Sequence, residues 1–415
     1  MELIIAQSCP SCGAEIVLGE DDRLLRCPYC DVYNYRIEDS APRYLLPFKV
    51  PPRVDGAEMV FVPYLRFKGT VYEIGAEGVE HRIVDTTRLG IKEFALPASL
   101  GLRPQAMRLW PLVASRPGRY ILQGIKADEA FSQAVTVAGL YRQRRRQPIL
   151  HRAFIGETLS RIYQPCYVQG GMVYDGVGQR PLGKEEWLKG YRATAVPGNA
   201  SWEARFISSH CPRCSGQMEG ERDSLVLGCR HCRSQWQEQG GRFSEVVATT
   251  VGTTSASARY LPFWRLTFTT EGVNLRSFGD YLRFTNQPQV VGPSFDALPL
   301  CLWIPAFKLN PKSFLQVTAQ LSLGQWRLPT PDDRFPQEAY PVNLSSKEAV
   351  QAVKTVLAQT TVSKKLRLPQ LVDMRVARAE WRLVYVPFVE QGLDLIEERS
   401  GAVVLAAALR FGRKL

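Results

Sequence analysis

Eight of the ten cysteines in this 415-residue chain fall into two identical frames. The first runs Cys9-Pro-Ser-Cys12, fourteen residues, then Cys27-Pro-Tyr-Cys30. The second runs Cys211-Pro-Arg-Cys214, fourteen residues, then Cys229-Arg-His-Cys232. A C-x2-C pair folds into a knuckle that aims two sulfurs at one point, and two knuckles complete a tetrahedral shell of four thiolates. Soft thiolates in that geometry select Zn2+, and iron less often. A redox C-x-x-C is expected singly, beside a βαβ pattern, so four copies in matched pairs fit poorly. The frames therefore predict two structural Zn2+ sites: Cys9, Cys12, Cys27 and Cys30 in one, Cys211, Cys214, Cys229 and Cys232 in the other. A closed four-cysteine shell leaves no position for water or substrate, so catalysis at these metals is not expected. His210 and His231 flank the second frame, whose four positions are already filled, and read as bystanders. Residues 14–18 and 24–26 are expected to be the strands of a hairpin, with 19–22 as its turn.

These two segments resemble zinc ribbons of the rubredoxin-like or TFIIB-type kind, which begin many bacterial proteins. Arg43-Tyr44-Leu45-Leu46-Pro47-Phe48-Lys49-Val50, directly after the first ribbon, resembles the phrase that follows the ribbon in some of them. The resemblance covers only the ribbons, about 25 residues each. It implies a bound metal and leaves function open, because ribbons of this kind bind DNA, RNA or protein, or staple a fold.

The ribbons repeat at an offset of 202 residues, and further motifs follow both copies in the same order. Val62-Pro63-Tyr64-Leu65-Arg66-Phe67 matches Leu261-Pro262-Phe263-Trp264-Arg265-Leu266, and the strands around Pro111 and Pro165 match those around Pro305 and Pro387. A helix is expected from Asp128 to about Gln147, and another from Ser345, where Glu348 completes a capping box. Proline cannot donate to a ladder, so the proline strands should carry it at starts, edges or bulges. Residues 70–84 and 274–291 read as further short strands, 249–258 as a low-charge linking loop, and 322–344 as an insertion. The expected fold is α+β, mainly β, and internally duplicated. Each half is a four-cysteine zinc ribbon followed by an antiparallel β-rich module with one main helix: ribbon 1–40, module 41–198, ribbon 199–245, module 246–415.

No apolar run approaches the ~18 residues of a membrane span. The cysteines begin at once after Met1–Ser8, which reads as no secretory leader. A cytoplasmic location is expected, and the reducing conditions there favour metal binding over disulfides. The formal charge of +12 is unevenly spread. Residues 1–40 hold eight acids against three arginines, a net of −5, which a Zn2+ with four thiolates takes to −7. A ribbon that neutralises phosphates should be basic. This one is acidic, and its Glu20, Asp21 and Asp22 are expected at an exposed tip, where they can meet a basic surface such as the arginines of residues 103–119.

Enzyme signatures are mostly absent. The chain has four histidines, no H-E-x-x-H, no G-x-S-x-G, and no G-x-G-x-x-G after a strand. Residues 178–184 have the spacing of a phosphate loop, but Glu185 stands where Ser or Thr should bind Mg2+. Cys166 and Cys301 lie in apolar strands and read as buried hydrophobes. Arg142, Arg144, Arg145 and Arg146 are the sharpest remaining feature. They would either contact phosphates or complement a helix dipole, and the second helix also ends in cations, which favours the dipole. Three functions stay open at this level. The first is a non-catalytic zinc-stapled scaffold, adaptor or complex subunit acting through protein–protein contacts. The second is a nucleic-acid binder using basic surfaces of the modules, and the third an enzyme with an unrecognised site. Charge favours the first, with other protein subunits as partners; peripheral contact with a membrane also stays open.

Overall fold

The chain is mixed α+β and mainly strand in the computed structural model. It describes residues 3–37, 42–52, 54–55, 58–93, 95–127, 129–130, 148–253, 255, 257–324, 336 and 339–413. The chain divides into two units. The first holds Met1–Lys68, Val84–Arg144 and Thr158–Ser208; the second holds Gly69–Ile83, Arg145–Glu157 and Ser209–Leu415. No helix among the described residues is long and apolar enough to cross a membrane.

The first unit is organised by the strand His151–Gln169, which belongs to it from Thr158 onward and pairs with the strand Val60–Gly75. It also pairs with the short parallel strand Arg43–Leu45, with Arg161 opposite Arg43 and Tyr163 opposite Leu45. It then turns back through Gly170 and Gly171, both at positive φ, into Met172–Asp175. The chain continues through the strand Pro181–Lys184 into the helix Glu186–Thr194. Apolar side chains at alternate strand positions close two cores, one around Leu3, Ile5 and Ile162, the other around Phe61, Tyr120 and Tyr163. Tyr120 sits at the centre of the second, stacked on Phe61 at 4.5 Å and edge-on to Tyr163 at 5.1 Å.

In the second unit the strand Arg375–Gln391 pairs antiparallel with Arg259–Glu271. It also pairs with the short parallel strand Ala248–Thr250, with Leu383 opposite Ala248 and Tyr385 opposite Thr250. It turns back at Gly392, again at positive φ, into Asp394–Glu397, then Ala402–Leu405 and the helix Ala406–Gly412. The core packs Trp264, Trp303, Phe263 and Phe388 against helices. Trp264 keeps its indole hydrogen bonded, donating Nε1–H to Leu344 O at 2.8 Å.

Four of the proline positions lie inside long strands, at places where a ladder changes neighbour. Gly90 N donates to Pro63 O, Gly176 N to Pro165 O and Ala306 N to Pro262 O. The hairpin ladder after Pro165 begins at Cys166, and that after Pro387 at Val389. Pro262 and Pro387 nonetheless lie within one antiparallel ladder, opposite Tyr385 and Tyr260, and not at a strand start or edge as expected. Pro111 and Pro305 both end strands, but in different settings. Arg108–Pro111 pairs with Arg43–Leu45 and Ile4–Ser8, whereas Cys301–Pro305 pairs with Arg259–Glu271.

The helix predicted from the Ser345–Glu348 capping box forms as Ser346–Gln351 and continues as Val353–Thr360, burying Val353, Val356 and Leu357. Its expected terminal cations Lys364, Lys365 and Arg367 belong instead to a separate turn, Lys364–Arg367. The second unit holds more than one main helix. Residues 274–291, read as strands, contain the helix Phe278–Thr285, capped by Ser277 and Asp280 and ended by Asn286 at φ 52°. Pro311–Leu323 is a further helix, with Asn310 as N-cap and proline in its first turn. Both starts carry cap signals that outweigh the β-branched and aromatic character of the flanking sequence. The linking loop 249–258 begins in strand, and the helix over 128–147 falls outside the described residues except at Glu129 and Ala130.

The largest departure concerns the acidic turn of the first ribbon. Residues 15–19 and 24–26 do not pair with each other: Glu15–Gly19 pairs with Ile4–Ser8, and Leu24–Arg26 with Tyr33–Ile37. The turn between them is buried, not an exposed tip. Glu20 is 1% exposed, ion-paired with Arg66 (also 1%) and accepting Ser160 Oγ–H at 2.6 Å. Arg66 also donates Nε–H and Nη2–H to Asp85, each at 3.0 Å. Asp21 accepts from Thr158 Oγ1 at 2.6 Å and lies 3.6 Å from Lys68 Nζ. Asp22 folds back to accept the Gly19 amide at 2.7 Å. Two carboxylates enter this site because cations and hydroxyls meet them there, which is the condition for burying charge. Removing one member strands the other. Arg66→Leu is expected to destabilise the chain by about 3–5 kcal/mol in urea unfolding. Arg108→Ala, whose Glu15 partner is exposed, should cost no more than about 1 kcal/mol; equal effects would contradict the burial argument.

Candidate metal centres

Each knuckle is built by the same backbone device. Gly13 N donates to Cys9 O, Asp31 N to Cys27 O, Ser215 N to Cys211 O and Arg233 N to Cys229 O, at 2.8–2.9 Å. The donor residue has positive φ in all four: Gly13 76°, Asp31 58°, Ser215 59° and Arg233 60°. That left-handed turn costs a side-chain-bearing residue about 1–2 kcal/mol, and it persists where the surroundings require it. Here the requirement is that both cysteines face one point.

The sulfurs do converge. Cys9 Sγ lies 3.9 Å from Cys30 Sγ, and Cys12 Sγ 3.7 Å from Cys27 Sγ. In the second ribbon the pairs Cys211–Cys232 and Cys214–Cys229 are each 3.5 Å apart. All four sulfurs of each group lie within 4.8 Å of one another. A tetrahedral centre with Zn–S bonds of about 2.3 Å separates its sulfurs by about 3.8 Å. A disulfide would need about 2.05 Å, and all ten cysteines are free thiols. The donor set fits a four-coordinate metal ion at both places.

The surroundings of the two groups differ. In the second, Ser234 Oγ is 2.9 Å from Cys232 Sγ and 3.5 Å from Cys211 Sγ. Burial opposes ionisation of Cys211, but the Ser234 hydroxyl and nearby amides bring its thiol down to about 6. Gly216 sits close against the group, where a Cβ would meet His231 Cβ at 3.3 Å and Cys214 Sγ at 3.4 Å. His210 and His231 are exposed and belong to neither four-residue group.

Among the described residues, Cys166 lies opposite Asp175, the partner of Arg103, and the other residues singled out in the sequence join neither cysteine group. Cys166 is buried, and burial pushes its thiol well above the usual range; Cys301 is raised for the same reason. Burial also lowers His81, and burial with the nearby Lys354 lowers His151 to about 4. Residues 178–184 form a hairpin turn and the strand Pro181–Lys184. Arg142, Arg144, Arg145 and Arg146 lie outside the described residues. The arginines of 103–119 have partners within their own unit. Arg103 pairs with buried Asp175, Arg108 with Glu15, Arg116 lies over the Trp110 ring, and Arg119 donates to Ala195 O.

Sequence reasoning missed the groups that hold each ribbon in place: Arg66, Ser160 and Lys68 for the first, and Arg413 and Asn343 for the second. In the second, Asp223 accepts from Asn343 Nδ2 at 2.7 Å and Arg413 Nη2 at 2.6 Å. Ser224 Oγ accepts the Glu221 amide at 2.9 Å, as Asp22 accepts that of Gly19. Placing the ribbons side by side at their 202-residue offset would have shown Asp22 against Ser224, the one available signal.

Comparison with protein-family models, with curated proteins and with solved structures gives no match. Function therefore rests on the site itself. Elemental analysis of the purified chain is expected to find two equivalents of metal. Cys12→Ser and Cys214→Ser should each lose one, and correctly folded wild-type protein with fewer than two would overturn the assignment.

Proposed function

We propose that this protein is a non-catalytic, zinc-stapled scaffold or complex subunit that acts through protein–protein contacts. The observation that carries the reading is that each four-cysteine group is closed while its ribbon is clamped by charged groups of its own unit. A closed thiolate shell has no open position for a reacting molecule, and soft sulfur ligands in tetrahedral array favour Zn2+. The clamps also use acids and bases that sequence alone left available. With Glu20 and Asp21 against Arg66 and Lys68, and Asp223 against Arg413, much of the charge contrast is neutralised inside each unit. The knuckle ends remain exposed, with Pro10, Ser11 and Tyr29 in the first ribbon and Pro212, Arg213 and His231 in the second. Tyr29 is 72% exposed, and an aromatic residue on a rigid turn suits protein recognition. A reducing cytoplasm is the compartment that suits free thiolate ligands.

Nucleic-acid binding through Arg142, Arg144, Arg145 and Arg146 is the second reading. Electrostatic association is strongest at low salt. Duplex and single-stranded DNA are expected not to bind there below about 1 µM, against non-specific affinities of ~1–100 µM for true binders at physiological salt. Sub-micromolar binding abolished by Arg144→Glu with Arg145→Glu would replace our reading with the second.

We also propose that the two halves derive from one duplicated unit. Both long strands, His151–Gln169 and Arg375–Gln391, receive a short parallel strand at positions 222 residues apart, Arg161–Tyr163 and Leu383–Tyr385. Gly170 and Gly392, Asp175 and Glu397, and Gln179 and Gly401 keep that offset. Both acids are buried, and the glycines and the last pair have positive φ. Pro111 and Pro305 depart from the pattern. In a crystal structure, Thr158 to Gly190 is expected to superpose on the segment from Glu380 to Gly412. Unrelated hairpin geometry there would remove the duplication.

A further inference from the structure

The two four-cysteine groups differ by one hydroxyl beside their sulfurs. Ser234 lies two residues after Cys232 and is 6% exposed. Its oxygen accepts Nε1–H of Trp236 at 2.7 Å, itself 8% exposed. A hydroxyl whose oxygen is engaged in this way still has its own hydrogen to give. The partners within reach are Cys232 Sγ at 2.9 Å and Cys211 Sγ at 3.5 Å. A thiolate bound to metal carries no proton, so the hydroxyl is the donor.

The first ribbon has no counterpart at the matching position. Two residues after Cys30 stands Val32, 39% exposed. Asn34 occupies the position of Trp236, and its Nδ2 donates to Ser11 Oγ at 3.2 Å. Cys12 is exposed, whereas its counterpart Cys214 is half-buried. Backbone amides serve both sites, as Ser11 N to Cys9 Sγ at 3.4 Å illustrates, so the O–H···S bond is the added element. Such a bond draws charge from a thiolate and makes it a poorer target for a proton or a competing metal ligand. Outer-shell partners of this kind are worth roughly 10–100-fold in metal affinity.

We propose that the two centres are unequal by construction. Ser234, oriented by Trp236, is a positioning residue that locks the second metal, and the first ribbon is the exchangeable site, the one that loads and empties with metal supply. The inference rests on reading both four-cysteine groups as zinc sites. It adds a regulatory distinction within the scaffold: one staple is permanent and the other responsive.

The test is zinc release from the full-length holoprotein into excess 4-(2-pyridylazo)resorcinol, followed by absorbance. Two phases of one equivalent each are expected, separated by about 10-fold or more in rate. Alkylation of samples taken between the phases, read by peptide mass spectrometry, should label Cys9, Cys12, Cys27 and Cys30 first. Ser234→Ala should speed the slow phase by about 10-fold and leave the fast phase unchanged. Ser234→Thr, which keeps the hydroxyl, should restore the slow phase, and Trp236→Phe should fall between. Far-ultraviolet circular dichroism of each variant separates loss of the donor from loss of fold. A single phase for both equivalents, prior labelling of the second ribbon, or a Ser234→Ala variant with wild-type kinetics would overturn the inference. Protein that contains no zinc would overturn the zinc reading beneath it.

Discussion

Four thiol groups within 4.8 Å of one another lie at the centre of each ribbon. Ionised together without a cation, they would repel strongly at that range. Protonated, they give little reason for four left-handed turns at Gly13, Asp31, Ser215 and Arg233. A metal ion resolves both difficulties, because its charge offsets the thiolates and its tetrahedral preference matches the spacing. The strands that meet at the sulfurs are short. Leu24–Arg26 has three residues and Glu15–Gly19 five, so each ribbon gains little from its own packing.

That shortfall explains why each ribbon is tied down at a second point. The turn between its two knuckles enters a polar site of its own unit, at Arg66, Ser160 and Lys68 in one case and at Arg413 and Asn343 in the other. The uneven charge of the sequence has the same origin. Glu20 and Asp21, and Arg66 and Lys68, look like surplus when counted along the chain, but in space they are partners. Counting charge along the chain treats such internally paired groups as exposed ones.

The two ribbons differ in what surrounds their cysteines. Asp22 and Ser224 do the same work, each accepting a backbone amide three residues back. Val32 and Ser234 do not: one leaves the sulfurs beside an exposed apolar side chain, and the other places a hydroxyl against them. The Trp236 indole is the reason the hydroxyl points where it does.

Residue types at short spacing were enough to sort the eight cysteines into two groups of four, and to identify the knuckle turns, the capping box at Ser345 and Glu348, and the mainly β character of the long proline strands. Local chemistry is sufficient for each of these. Helices beginning at Ser277 and Asn310 were also legible in their caps, though β-branched and aromatic neighbours obscured them. Other features emerge only when distant segments meet: which strands of the first ribbon pair, the burial of Glu20 against Arg66, and the reach of Ser234 to two sulfurs. Partners 46 residues apart, such as Glu20 and Arg66, leave no trace in local pattern. An acidic turn in solvent and an acidic turn in a buried ion pair have the same sequence. What separates them is whether the fold brings a cation close enough to offset the loss of water, and that depends on the whole chain.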